Sequence, residues 1–205
     1  VDPSRPVLTF GGGHSNHLRA AAFAFAHAGI KGIAVVRGEE LSPQHSPTLR
    51  YCEEMGMTLH FIPRSEYKTL REMDWVPTAL QLQGWGCESA QLLPEGGAGQ
   101  HAFEGCGEIW TELDHKPDHL LIASGTSTTV LGILWAMPEG SATKIHVVSA
   151  VKGAKKEQAS VKEYAQQKSI DLHWEDEMYF GGFGKMPEQL NEQKRTFEDE
   201  HGFAI

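Results

Sequence analysis

Two junctions, each between an apolar run and a helical pattern, carry residue types able to hold an anion or move a proton. The first is Thr9-Phe10-Gly11-Gly12-Gly13-His14-Ser15-Asn16-His17. Three glycines let a backbone turn sharply and approach a ligand, because no Cβ stands in the way. Ser15 and Asn16 then fall at a helix N-terminus, where free N–H groups and the helix dipole favour an anionic group. The same residue types are common N-caps, so plain capping stays open. The second junction, Ala123-Ser124-Gly125-Thr126-Ser127-Thr128-Thr129, places one glycine and five hydroxyls before an apolar helix. Backbone N–H groups and hydroxyls can cup a phosphate without a cationic side chain. A triphosphate loop would need G-x-x-x-x-G-K-[ST] and a dinucleotide site G-x-G-x-x-G, and neither is present. A monophosphate fits better, with a Ser/Thr-rich turn as the alternative.

A third glycine-rich stretch, Tyr179-Phe180-Gly181-Gly182-Phe183-Gly184-Lys185, permits close approach to a flat group and otherwise reads as a turn. His14 and His17 are spaced H-x-x-H, but no third ligand follows by spacing and H-E-x-x-H is absent, so no metal site is expected.

These junctions need strands and helices to position them. Val7–Phe10, Ile33–Val36, Thr58–Ile62 and Gln91–Leu93 read as strands in the first half. Helices are expected over 15–28, 47–55 and 66–73, with the 75–86 stretch unassigned. Gly29 is placed as a left-handed cap. In the second half, strands are expected over 120–123, 145–149 and 172–174. Helices alternate with them over 101–113, 128–136, 155–168 and 187–200. Near-continuous apolar strands separated by helices predict an α/β fold of parallel sheets in three layers, helices on both faces. The Pro94–Gly99 stretch predicts a hinge between two subdomains, 1–95 and 96–205.

The chain has 205 residues, a formal net charge of −9 and 40% hydrophobic residues. An acidic chain argues against a nucleic-acid groove, which needs clustered cations. No apolar run approaches the ~20 residues that cross a bilayer, and the first residues do not read as a signal peptide. Three cysteines without a C-x-x-C pair read as free thiols, and a cytoplasmic protein is expected.

In order along the chain, "LTFGGGHSNHLRAAAFAFAHAGIKGIAVVRGEE", "PTLRYCEEMGMTLHFIPRSEY", "LLPEGGAGQHAFEGCGEIWTEL", "LLIASGTSTTVLGIL" and "YFGGFGKMPEQLNE" occur. Together they resemble the 1-aminocyclopropane-1-carboxylate deaminase/D-cysteine desulfhydrase family of fold type II pyridoxal-phosphate enzymes, the group of the tryptophan synthase β subunit. The resemblance implies a cofactor, pyridoxal 5′-phosphate, and a small amino-acid substrate deaminated to ammonia and a 2-oxo acid. It implies that Gly125, Thr126, Ser127, Thr128 and Thr129 hold the cofactor phosphate and that Asn16 bonds the ring hydroxyl side. Ser15 and His17 would face the substrate, Ser15 near its carboxylate, and Gly182 would lie near the ring. A homodimer is the family expectation.

The family's imine-forming lysine lies upstream of the Ser-Asn strand, and none of the eleven lysines here matches it. The family's later segment, with a catalytic tyrosine and a partner for the pyridine nitrogen, has no match either. Tyr51, Tyr67, Tyr164 and Tyr179 do not correspond to that tyrosine. The expectation is therefore a chain truncated at both ends and inactive as it stands. Two other readings stay open: a non-catalytic remnant that binds a phosphate-bearing ligand or a partner chain, and an unrelated nucleotide- or metal-binding domain using His14 and His17.

Overall fold

The computed structural model describes residues 2–178, 180–181 and 185–202. The chain divides into two compact units, Val1–Gly99 and Gln100–Ile205, and the division falls at the end of the Pro94–Gly99 stretch.

The first unit is a four-stranded parallel sheet of β1 (Val7–Gly12), β2 (Gly32–Arg37), β3 (Thr58–Ile62) and β4 (Gln91–Leu93), in the order β3-β2-β1-β4. Its helices are α1 (Asn16–Ala28), α2 (Pro47–Glu54), α3 (Arg64–Glu72) and α4 (Ala79–Gly84). The chain steps outward from β1 through β2 to β3, then returns past β1 to β4. Crossovers between parallel strands are right-handed, so outward and return connections fall on opposite faces of the sheet. The two cores show this directly. Val7, Ala34 and Val36 pack with Leu18, Ala22 and Phe25 of α1 and with Leu49 and Cys52 of α2. Leu8, Phe10, Ile33 and Val35 pack on the other side with Tyr67 and Leu70 of α3, and Leu82 of α4 joins them.

The second unit is a three-stranded parallel sheet, β5 (His119–Ser124), β6 (Lys144–Ser149) and β7 (Leu172–Glu175), in chain order. Its helices are α5 (Gln100–Thr111), α6 (Thr128–Ala136), α7 (Lys155–Gln167) and α8 (Glu188–His201). Ile122, Ile145, Val147 and Trp174 form one core with Val130, Ile133 and Leu134 of α6, Val161 and Ala165 of α7, and Trp110 of α5. Gly107 and Gly132 let α5 and α6 approach closely; a Cβ on Gly132 would lie 2.4 Å from the Cβ of Cys106. The other strand positions, His119, Leu121, Ala123, His146, Val148, His173 and Glu175, are not buried, and Leu121 is 71% exposed. The expected three layers are thus complete in the first unit, whereas the packed core of the second lies on one face of its sheet. All its crossovers step the same way, so the handedness rule sends them to one side.

Boundaries agree with the sequence reading to within two residues at most ends, with three informative differences. β1 continues through Gly11 and Gly12, which pair with Val36 and Arg37, so two of the three glycines are strand rather than turn residues. Ser15 is the cap of α1 rather than its first residue. The unassigned 75–86 stretch contains α4, opened by a capping box between Thr78 and Gln81. Among the described residues, no helix is long and apolar enough to cross a membrane, and Cys52, Cys87 and Cys106 are free thiols.

Candidate functional site

The strand order of the first unit reverses between β1 and β4. In parallel α/β sheets such a reversal leaves a crevice at the C-terminal ends of the two strands, because their connections leave on opposite faces. The glycine-rich turn closes β1 at this place, and Glu95 to Gly97 follow β4 at the same end.

Gly11 is required by packing: a Cβ there would lie 2.6 Å from Cγ of Leu18 and 2.9 Å from Oγ of Ser15. The turn is closed by the Ser15 N–H donating to the Gly12 carbonyl at 3.1 Å. The Gly13 carbonyl accepts from the buried Ser46 hydroxyl, which ties the turn to the start of α2. Ser15 then accepts from the Leu18 N–H at 3.2 Å. The capping role is therefore real, and the hydroxyl hydrogen remains available to a ligand. Asn16 begins α1 with its side chain exposed, and His14 is exposed on the turn before it.

His17 is half-buried, with Nε2 2.7 Å from Oγ1 of the fully buried Thr9. Burial pushes the imidazole pKa down, and the Glu95 carboxylate opposes this in part. Gly97, at φ +69°, lies against the other side of the ring; a Cβ there would be 3.4 Å from Nδ1. Glu95 itself accepts from the Tyr67 hydroxyl at 2.8 Å and from Arg71 at 2.7 Å. Burial, with the Glu95 carboxylate beside it, raises the Tyr67 pKa, so the phenol is a fixed neutral donor.

In the second unit the hydroxyl loop joins β5 to α6. Ser124, buried at the end of β5, bonds Ser127 side chain to side chain at 2.9 Å. Thr126 and Thr128 share a 3.3 Å contact between hydroxyls. Ser127 caps α6 from a left-handed conformation, φ 64°, and its side chain makes no capping bond. The N–H groups of the first turn have no intrahelical acceptor, and the helix dipole adds a partial positive charge there. Residues 123–130 line a cavity of about 50 Å³, with no Lys or Arg among them. On that measure one water needs about 10–15 Å³. Gly125 has open space where a Cβ would be. The arrangement can hold a compact anion by dipole, N–H and hydroxyl groups alone.

The structure thus groups Ser15, Asn16 and His17 on one turn of the first unit, and Gly125, Thr126, Ser127, Thr128 and Thr129 on one loop of the second. Gly182 lies outside the described residues. Neither Thr9 and Glu95 as neighbours of His17 nor Tyr67 and Arg71 as partners of Glu95 were legible. Thr9 alone left a trace, as a polar residue inside an apolar strand.

No family model matches the chain. Over 143 residues it is 26% identical to the bifunctional D-cysteine desulfhydrase/1-aminocyclopropane-1-carboxylate deaminase, mitochondrial, of Arabidopsis thaliana, covering 62% of this chain and 35% of that protein. Over 132 residues it is 26% identical to a putative 1-aminocyclopropane-1-carboxylate deaminase of Pyrococcus horikoshii, covering 62% and 39%. The chain therefore spans less than half the length of these curated relatives. Among solved structures, an ACC deaminase homologue superposes with a TM-score of 0.66 at 22% identity, over 97% of this chain and 63% of that one. A threonine deaminase from T.th. gives 0.53 at 14% identity, over 96% and 73%. The chain resembles the 1-aminocyclopropane-1-carboxylate deaminase/D-cysteine desulfhydrase family, and its fold is that of the fold type II pyridoxal-phosphate enzymes.

Proposed function

We propose that this chain, as a relative of the 1-aminocyclopropane-1-carboxylate deaminases and D-cysteine desulfhydrases, carries the substrate-facing turn and the phosphate loop of a pyridoxal-phosphate-dependent enzyme. Its substrate would be a small amino acid, released as ammonia and a 2-oxo acid. The observation that carries the reading is the cation-free cup of hydroxyls and N–H groups at the start of α6. It occurs in a chain that also ends its first strand in a glycine-rich turn followed by Ser15, Asn16 and His17.

Gly125, Thr126, Ser127, Thr128 and Thr129 would hold the phosphate, with the bond between the Ser124 and Ser127 hydroxyls fixing the loop beforehand. When bound, the cofactor supplies an electron sink for the amino acid's α-carbon. Asn16 offers an exposed amide to the ring hydroxyl, and Gly182 is assigned near the ring by the resemblance alone. Ser15 has a hydroxyl hydrogen to give to the substrate carboxylate, since its oxygen already serves Leu18. His17 is kept neutral by burial, with Nε2 tied to Thr9, so Nδ1 is the ring atom left to exchange a proton. The exchange partner for the cofactor aldehyde has no candidate here by resemblance. Lys116 and Lys168 are committed to helix-end carbonyls, of Trp110 and Leu113 and of Leu134, Trp135 and Met137 respectively. A cytoplasmic homodimer belongs to the same proposal; three free thiols suit a reducing compartment.

Titrating the purified chain with pyridoxal phosphate tests the reading. The expected result is saturable binding that inorganic phosphate displaces and that a Thr126→Val/Thr128→Val variant weakens. Binding indifferent to phosphate and to that variant overturns it. Borohydride treatment and intact mass then report whether any lysine is modified. Phosphate-displaceable binding with no adduct, and no 2-oxo acid from D-cysteine or 1-aminocyclopropane-1-carboxylate, supports the second reading, a non-catalytic binder of a phosphate-bearing ligand.

A further inference from the structure

Arg37 ends β2 at the same edge of the first sheet, as the register partner of Gly12. Its guanidinium leans back over Gly12, where a Cβ would lie 3.5 Å from one terminal nitrogen. It also sits 5.8 Å from the centre of the Tyr67 ring. The residue is half-buried, yet no described side chain or carbonyl forms a hydrogen bond or ion pair with the guanidinium. The neighbouring acids are taken. Glu95 serves Tyr67 and Arg71, and Glu40 pairs with Arg64. A partly desolvated guanidinium with all its donors free is unusual, because such groups ordinarily find an acceptor.

We propose that Arg37 is a carboxylate-binding residue at this end of the sheet, its planar fork receiving the carboxylate of a small ligand beside the glycine-rich turn. Three features support the assignment. Gly12 carries no side chain, so the Arg37 fork lies close over the backbone of β1, next to the turn. The Tyr67 ring, locked by the bond from its hydroxyl to Glu95, is a flat support that holds the guanidinium by its face and leaves its edges to the ligand. Glu95 and Arg71 neutralise one another, so Arg37 carries the uncompensated charge of the cluster. Bidentate binding of a carboxylate uses the same two-pronged geometry that makes arginine pairs stronger than lysine pairs. The carboxylate can be the α-carboxylate of an amino acid or a second acidic group on it.

The inference concerns the first unit and does not depend on phosphate binding in the second. The test is a titration of the full ¹⁵N-labelled chain with sodium acetate, against sodium chloride at matched ionic strength, following the arginine Nε–H and glycine N–H signals. The Arg37 signal is identified by its loss in Arg37→Lys. The expected result is a saturable shift of Arg37 Nε–H, Gly12 and Gly13 with acetate only, weakened roughly 10-fold or more in Arg37→Gln. Arg37→Lys should retain weaker binding, since it keeps the charge without the fork. Glycine and aspartate separate the sources: equal affinity identifies the α-carboxylate, tighter aspartate a second acidic group. Arg37→Lys and Arg37→Gln spectra unchanged elsewhere show that the fold is intact; if Gln disrupts it, the Lys variant decides. An unsaturable shift, or one that chloride reproduces, overturns the inference. Pyridoxal phosphate added to the same sample shifts Gly125–Thr129 if the proposed function holds, so either reading can fail while the other stands.

Discussion

The two units build parallel sheets from the same alternation of strand and helix, but the first reverses its winding at β1 and the second does not. The reversal has two consequences in the first unit: it covers both faces of the sheet, and it makes the connections after β1 and before β4 run on opposite faces. In the second unit every connection steps the same way, so one face carries the core and the other keeps Leu121 exposed. The candidate groups follow the same division. Those of the first unit are side chains anchored by buried partners, such as His17 on Thr9. Those of the second are a helix end and a run of hydroxyls that brace one another.

The comparison is broken most severely by core truncation. Phe10→Ala, at a fully buried position, should destabilise the first unit by about 3–5 kcal/mol. Leu121→Ala, equally part of an apolar strand, should change stability by less than about 0.5 kcal/mol. Urea unfolding followed by hydrogen exchange in each unit checks both, and a large loss at Leu121 would mean that its face is covered in solution.

Close-packed glycines come next. Gly132→Ala should cost the second unit about 3 kcal/mol, the upper end for overpacking, because its Cβ meets the Phe103 carbonyl oxygen at 2.9 Å as well as Cys106. Gly11→Ala should cost the first unit about 1–2 kcal/mol, since Leu18 and Ser15 are side chains with some freedom to move. Thermal unfolding of the two variants ranks them, and equal losses would remove the distinction between backbone and side-chain neighbours.

Thr9→Val should cost about 1–3 kcal/mol by leaving Nε2 of His17 without its partner. His17 also gives the first unit a pH dependence. Its pKa is lower folded than the ordinary value near 6.5, so between the two values the unfolded chain binds more protons. The contribution is therefore fully present above about pH 6.5 and is lost as pH falls through the folded value. Urea midpoints from about pH 7.5 down to about 5 should decline more in the natural chain than in His17→Gln; parallel curves would dismiss the effect.

A near-neutral effect on stability is expected at Ser127→Gly. Relief of a left-handed serine, about 1–2 kcal/mol, nearly offsets the lost hydroxyl bond to Ser124, about 1 kcal/mol. Phosphate affinity should fall nonetheless, because the loop loses its brace. Calorimetry on the variant sharpens the contrast by separating a ligand effect from a folding effect.

Much of the fold was legible because the signals are local. Gly29, at φ 65°, ends α1 where a left-handed residue was expected, and Pro47 and Pro187 sit where the chain enters helices. The helix α4 was not read, although the Thr78–Gln81 capping box was available. It has only six residues and follows Asp74 and Trp75, both at positive φ. The run Leu120-Leu121-Ile122-Ala123 promised burial on both faces, and only the Leu120–Ile122 side joins the core. An apolar run shows that a residue tolerates burial, whereas winding direction decides whether anything covers it.

By itself the sequence determined the strand–helix alternation, the caps, and the placing of a glycine-rich turn and a hydroxyl loop at strand ends. Those properties depend on backbone conformation and side-chain type within a few residues. Tertiary structure alone decided that β1 lies between β2 and β4, that Thr9 holds His17, that Glu95 gathers Tyr67 and Arg71, and that Arg37 stands over Gly12 with no hydrogen-bond or ion-pair partner among the described residues. Each of these depends on how separate elements pack, and such contacts exist only once strand order and helix placement are set.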